Sequence, residues 1–78
     1  MSINNYKTII FSDVSSRDGI GIEVYFHNDL ILEIFRNDLK KTIDVTMFKQ
    51  NISLNVVEES INIFRKKINL DFNSSEDP

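Results

Sequence analysis

The hydrophobic pattern of this sequence changes its period once, after Phe48, and that change limits the folds open to the chain. Before it, residues 20–26, 30–36 and 41–48 alternate with period two. These stretches are rich in β-branched and aromatic residues and are bounded by Asn and Asp, which predicts an antiparallel β-meander. Residues 6–11 are predicted to form a fourth strand before the other three.

After Phe48, apolar residues recur at alternating steps of three and four, which predicts an amphipathic helix. The apolar stripe consists of Leu54, Val57, Ile61, Phe64 and Ile68. Asn51 or Ser53 can cap the helix start, and basic residues at 65–67 suit the dipole at its end. The predicted class is therefore α+β: an antiparallel meander of about four strands with one C-terminal α-helix packed on one face.

Length, charge and cysteine content exclude several classes of protein. With 78 residues there is room for one domain, predicted at 1–72, and the polar tail at 73–78 is expected to be disordered. The chain has no cysteine, which excludes disulfides and thiolate metal sites. A net charge of -3 argues against a nucleic-acid partner. No signal peptide or membrane-spanning run is recognisable, so a cytoplasmic location without membrane contact is expected.

The strand register follows from placing all aliphatic residues on one side of the sheet. Phe26 is predicted to pair with Leu30 around a three-residue loop at 27–29. Ile34 is predicted to pair with Ile43 around a loop at 37–40. The resulting aliphatic face is the one that the helix stripe is expected to cover.

The same register places three carboxylates, those of Glu23, Glu33 and Asp44, side by side on the other face, with Tyr25 and Phe35 beside them. Like charges directly opposite one another destabilise a sheet. We therefore interpret the row as a candidate partner-binding surface, with the two aromatic residues as anchors.

Two alternative interpretations of the row remain open. The outer face of a two-layer domain has to be polar, and Lys7 could neutralise the carboxylates, in which case the row is ordinary solvated surface. Three carboxylates could also hold Mg²⁺ or Ca²⁺, although a flat sheet rarely gathers enough oxygen ligands. We predict no metal site and no cofactor.

Residues suited to catalysis are few. The single histidine, His27, falls in a predicted turn, and Ser15 and Ser16 have no base nearby in the sequence to activate them. The Gly19-x-Gly21 spacing lacks the third glycine and the following helix of a dinucleotide site. We therefore predict that the chain is not an enzyme.

Val56 and Ile63 form a second apolar pair on the predicted helix, off the main stripe. One interpretation is an exposed seam for a homodimer. The other is that both residues belong to the periphery of the core.

Residues 17–23 (Arg-Asp-Gly-Ile-Gly-Ile-Glu), residues 33–38 (Glu-Ile-Phe-Arg-Asn-Asp) and the acidic start of the helix resemble a group of small bacterial proteins. Some proteins of this kind act as immunity proteins in polymorphic or contact-dependent toxin systems. The resemblance implies a protein that neutralises a cognate toxin, and the acidic row would suit a basic toxin domain. The alternative function is a self-associating structural or adaptor module.

Overall fold

The computed structural model describes residues 5–15 and 18–70. Four antiparallel strands form one sheet in the order β1-β2-β3-β4, and a single helix follows them. The elements are β1 (Tyr6–Asp13), β2 (Gly19–Phe26), β3 (Asp29–Asn37), β4 (Thr42–Met47) and α1 (Leu54–Lys67). The predicted α+β class is confirmed, while the predicted tail at 73–78 lies outside the described residues.

The hydrophobic core lies between α1 and the two central strands, β2 and β3. Alternating aliphatic residues of both strands face the helix because successive side chains of a strand point to opposite faces. The fully buried core consists of Ile22, Val24, Ile31, Leu32, Ile34, Val56, Phe64 and Ile68. The helix makes no comparable contact with β1 or β4, so both edge strands are left uncovered on this face.

The helix is rotated relative to the predicted stripe. Its buried face is centred on Val56, Ser60 and Phe64, whereas Leu54 is exposed. Ser60 is small, and its hydroxyl donates a hydrogen bond of 2.7 Å to the Val56 carbonyl, so this face can approach the sheet closely without leaving a polar group unsatisfied.

The predicted homodimer seam at Val56 and Ile63 is therefore corrected. Val56 is 5% exposed and belongs to the core, and Ile63 packs against that core. Since the helix rotation turns both residues inward, the exposed apolar pair on which that hypothesis depended is not present on the helix.

The hairpin between β2 and β3 has a shorter turn than predicted. Phe26 pairs with Asp29, and the two loop residues, His27 and Asn28, have φ values of 50° and 71°. Positive φ at both central residues is typical of a type I′ turn, whose twist matches that of the flanking strands. A bulge after Val24 then restores the predicted register, and the extra residue, Ile31, packs into the core.

The register between β3 and β4 differs from the prediction by two residues. Ile34 pairs with Val45 rather than with Ile43, and the loop between the strands spans residues 38–41. The Asn37 side chain accepts a hydrogen bond of 2.9 Å from the Lys40 backbone N–H, and Lys41 has a φ of 61°. This local turn chemistry delays the start of β4 and sets the observed register.

Arg36 connects the sheet to the segment that follows the helix. Its Nε lies 2.9 Å from Oδ1 of Asp38, and its Nη2 donates to Oδ2 at 3.1 Å. Its Nη1 donates at 2.6 Å to the backbone carbonyl of Asn69. Both charged side chains are largely buried, so the ion pair with Asp38 holds the guanidinium in place. The hydrogen bond from Arg36 to Asn69 then ties the segment after α1 to β3.

The face of the sheet opposite the helix also buries an aromatic side chain. Gly21 on β2 pairs with Phe11 on β1 and with Phe35 on β3, so no side chain stands between the two phenylalanines. Their rings stack across the glycine with centroids 5.5 Å apart. A Cβ atom at Gly19 would lie 2.8 Å from Cζ of Phe35, so the ring also occupies the space above Gly19. As a result Phe35 is 0% exposed.

We expect Phe35→Ala to lower the free energy of unfolding by about 3–5 kcal/mol, because it removes a fully buried ring. The matched control is Phe48→Ala, which truncates a ring that is already half exposed and should cost less than about 1 kcal/mol. Urea denaturation measures both values. Equal losses for the two variants would contradict the buried position of Phe35.

Candidate functional site

Two of the three predicted carboxylates lie opposite each other on the outer face. Glu23 pairs with Glu33 as predicted. The backbone N–H of Asp38 donates to the carbonyl of Asp18 at 2.9 Å, and the alternation of an antiparallel ladder then makes Glu23 and Glu33 a non-hydrogen-bonded pair. Side chains are closest in such pairs, so the two like charges meet at the position where repulsion is strongest.

The third carboxylate does not complete the row. Asp44 lies opposite Phe35, and Thr46 occupies the position opposite Glu33. The predicted row of three is therefore wrong by the two-residue shift of β4. Asp44 nevertheless stays on the same face, since a shift of two preserves the direction of every side chain. Accessibility also divides the group, because Asp44 is exposed whereas Glu33 is 7% exposed.

The two predicted anchors differ in their surroundings. Phe35 cannot anchor a partner, because its ring stacks on Phe11 and is 0% exposed. Tyr25 is half-buried, and its hydroxyl donates a hydrogen bond of 2.9 Å to Oε1 of Glu23. This hydrogen bond, followed by burial and by the negative charge of Glu23, raises the pKa of Tyr25. The accessible part of the predicted site thus consists of Glu23, Tyr25 and Asp44.

A second surface, which the sequence analysis did not identify, lies along β4. Every residue from 39 to 51 is exposed. Ile43, Val45 and Met47, which we call the apolar row, point to the helix side of the sheet but lie beyond the reach of α1. They are 42%, 49% and 49% exposed, and the following Phe48 is 50% exposed. Large apolar side chains clustered on one strand are typical of a binding surface.

The backbone of β4 offers hydrogen bonds along the same edge. The N–H of Phe48 donates to the carbonyl of Ile31 at 2.8 Å, so Phe48 faces β3. In an antiparallel ladder such residues alternate with residues whose N–H and C=O point away. Ile43, Val45 and Met47 are therefore the three positions that direct backbone groups outward, and within residues 5–15 and 18–70 the sheet has no strand beyond them.

Two concave regions adjoin the helix. A groove of about 190 Å³ runs between α1 and the apolar row, and Ile43, Val45, Ile61, Phe64 and Leu70 contribute its apolar lining. An open cleft of about 360 Å³ lies at the other end of the sheet. It is lined by Tyr6, Phe26, Asp29, Ile31, Lys49, Asn51, Ile52 and Ser53. Of the two regions, the groove is the one that enlarges the apolar surface of β4, because it continues the apolar row toward the helix.

The described residues offer little for catalysis. Within residues 5–15 and 18–70, no three His, Cys, Asp or Glu side chains come together in a way that could hold a metal ion. His27 lies exposed in the β2–β3 turn, with its ring against Phe26. Ser15 donates both its backbone N–H and its hydroxyl to Asp13 at 3.0 Å, an arrangement that forms a local turn. Over the same residues, no helix has the length and apolar character needed to cross a bilayer.

No protein-family model matches this chain, and no curated protein or solved structure is significantly similar to it. These comparisons neither support nor contradict the resemblance to immunity proteins.

We expect Tyr25 to ionise above the ordinary tyrosine pKa of about 10, and Glu23→Gln to bring its pKa down toward that value. Absorbance at 295 nm follows the titration in a Tyr6→Phe background, where Tyr25 is the remaining tyrosine. Because folding raises the pKa of Tyr25, the protonated tyrosine stabilises the folded state. This contribution to stability is complete below pH about 10 and is lost as the pH rises through the folded pKa. Asp44→Asn is the control. A Tyr25 titration that Glu23→Gln leaves unchanged would contradict the hydrogen bond.

Proposed function

We propose that this chain is a protein-binding module whose binding surface is the open edge of β4. The observation that supports this proposal most directly is that the apolar row and the outward backbone groups coincide on Ile43, Val45 and Met47. A partner strand laid along this edge gains hydrogen bonds from the backbone and apolar contacts from the side chains at the same three positions.

The apolar surface is large enough to matter for binding. A half-exposed large side chain presents about 100 Å², so the apolar row and Phe48 together present about 400 Å². Burying that area contributes about 10 kcal/mol before costs. The loss of translational and rotational freedom costs about 4–15 kcal/mol, which is as large as this gain. Backbone hydrogen bonds and matching apolar area on the partner therefore have to supply the net binding free energy.

We expect Val45→Lys to abolish capture of a protein partner, because it places a charge at the centre of the edge and removes the middle side chain of the apolar row. The matched control is Leu39→Lys, which makes the same change at a residue that is 70% exposed in the β3–β4 loop. Tagged native chain, Val45→Lys and Leu39→Lys are compared in pulldowns from the source cells, after circular dichroism shows that all are folded. Equal capture by the three proteins would contradict a role for the β4 edge.

The second candidate function is toxin inhibition of the immunity type, through the accessible acidic residues of the outer face. The observation that favours it is the pairing of Glu23 with Glu33 at a close, like-charged position, which a sheet selected for stability alone would avoid. Glu23, held by the hydrogen bond from Tyr25, and the exposed Asp44 present negative charge to a basic partner. Such charge complementarity would speed association and make it sensitive to salt.

For this second function, we expect Glu23→Lys/Asp44→Lys to lose a basic partner that the native chain captures. The control is Glu58→Lys/Glu59→Lys, which changes the net charge by the same amount on the helix. Loss in the first variant with retention in the second identifies the outer face as the contact. Equal loss in both would show a response to overall charge instead, and retention in both would exclude the acidic face.

A further inference from the structure

The open edge of β4 is complementary to itself. It has three outward positions, Ile43, Val45 and Met47, and Val45 is the central one. Two antiparallel copies related by a two-fold axis through Val45 therefore use all three positions of each copy. Val45 lies opposite Val45 of the second copy, and Ile43 lies opposite Met47, so the apolar row meets its own copy along its whole length.

The outer face of β4 fits the same register. Asp44 of one copy comes to lie opposite Thr46 of the other, where a carboxylate faces a hydroxyl that can donate to it. A two-fold axis at Asp44 would instead place the two Asp44 carboxylates against each other. An axis at Thr46 would leave Ile43 without a partner position. Charge and apolar matching thus both favour the axis at Val45.

We propose that a second copy of this chain occupies the β4 edge, forming a two-fold homodimer in which the two four-stranded sheets join into one. This inference rests on the proposed function, that β4 binds a protein strand, and it identifies that strand as β4 of the second copy. Because the contact is isologous, both β4 edges are used up and the assembly closes at two copies. The apolar area of each copy, about half of the 800 Å² that a standard interface buries per partner, implies a reversible dimer rather than an obligate one.

Sedimentation equilibrium tests the dimer. Over about 10–300 micromolar chain, we expect the native mass to rise from 9.1 kDa toward twice that value. Val45→Lys places two lysines opposite each other at the two-fold axis and should weaken self-association more than about tenfold. Leu39→Lys lies outside the paired strands and should dimerise like the native chain. A native mass that stays at 9.1 kDa, or one that grows beyond the dimer, would overturn the inference.

Single cysteines test the register, since the native chain has none. Two copies of Val45→Cys face each other across the axis at the Cα separation of about 5.5 Å that a disulfide accepts. In a dimer of Met47→Cys alone, the two sulfurs lie far apart, because each Met47 position faces Ile43 of the other copy. In a mixture of Ile43→Cys and Met47→Cys, a dimer of one copy of each variant brings its two sulfurs together. We expect oxidation to link Val45→Cys and the mixture, and to leave Met47→Cys alone unlinked. Equal linking of all three samples would overturn the register.

Failure of this inference differs from failure of the proposed function. If the native chain is a monomer at every concentration and Val45→Lys still loses a different protein in the pulldown, the edge binds a strand but not its own. If Val45→Lys changes neither self-association nor capture, both the inference and the function of the edge are wrong.

Discussion

One helix has to cover four strands, and the rest of the structure depends on this mismatch. A helix with its side chains is about 10–12 Å wide, and four strands spaced about 4.8 Å apart are wider than that. The 14-residue α1 therefore covers the two central strands and leaves both edges open. Residues such as Val45, which alternate in sequence like core residues, consequently stay half exposed on the helix side of β4. The apolar row is thus a direct result of having a single helix.

The opposite face of the sheet is stabilised without any second layer among the described elements. Two phenylalanines, Phe11 and Phe35, close over Gly21, and this small cluster buries a complete aromatic ring on what would otherwise be a solvated face. The neighbouring Glu23 and Glu33 lie opposite each other, and Tyr25 donates a hydrogen bond to Glu23. The outer face therefore combines buried aromatic packing with the accessible groups of Glu23, Tyr25 and Asp44.

Hydrophobic period and turn residues were sufficient to predict the four strands, the helix and the β2–β3 register from Gly19 to Val24, but not the pairing of Phe26 at the turn. They could not determine the β4 register, because a shift of two residues keeps every side chain on its own face and only the Asn37 turn distinguishes the alternatives. The rotation of the helix was missed because the predicted stripe counted apolar residues alone and so left out Ser60, which is buried and bonds its hydroxyl to its own helix. The open edge could have been found by comparing the width of one helix with that of four strands.

We propose that Ile43, Val45 and Met47 direct their backbone groups away from the sheet and pair them with the same edge of a second copy. Residue-resolved amide hydrogen exchange, measured on dilute and on concentrated protein, tests it most directly. In dilute solution the amides of these three residues should exchange fast while those of Asp44 and Thr46, which face β3, exchange slowly. On concentration the three fast amides should become protected. Uniform exchange along β4 would show that these amides do not point away from β3, and an alternation that does not respond to concentration would show that no second copy binds this edge.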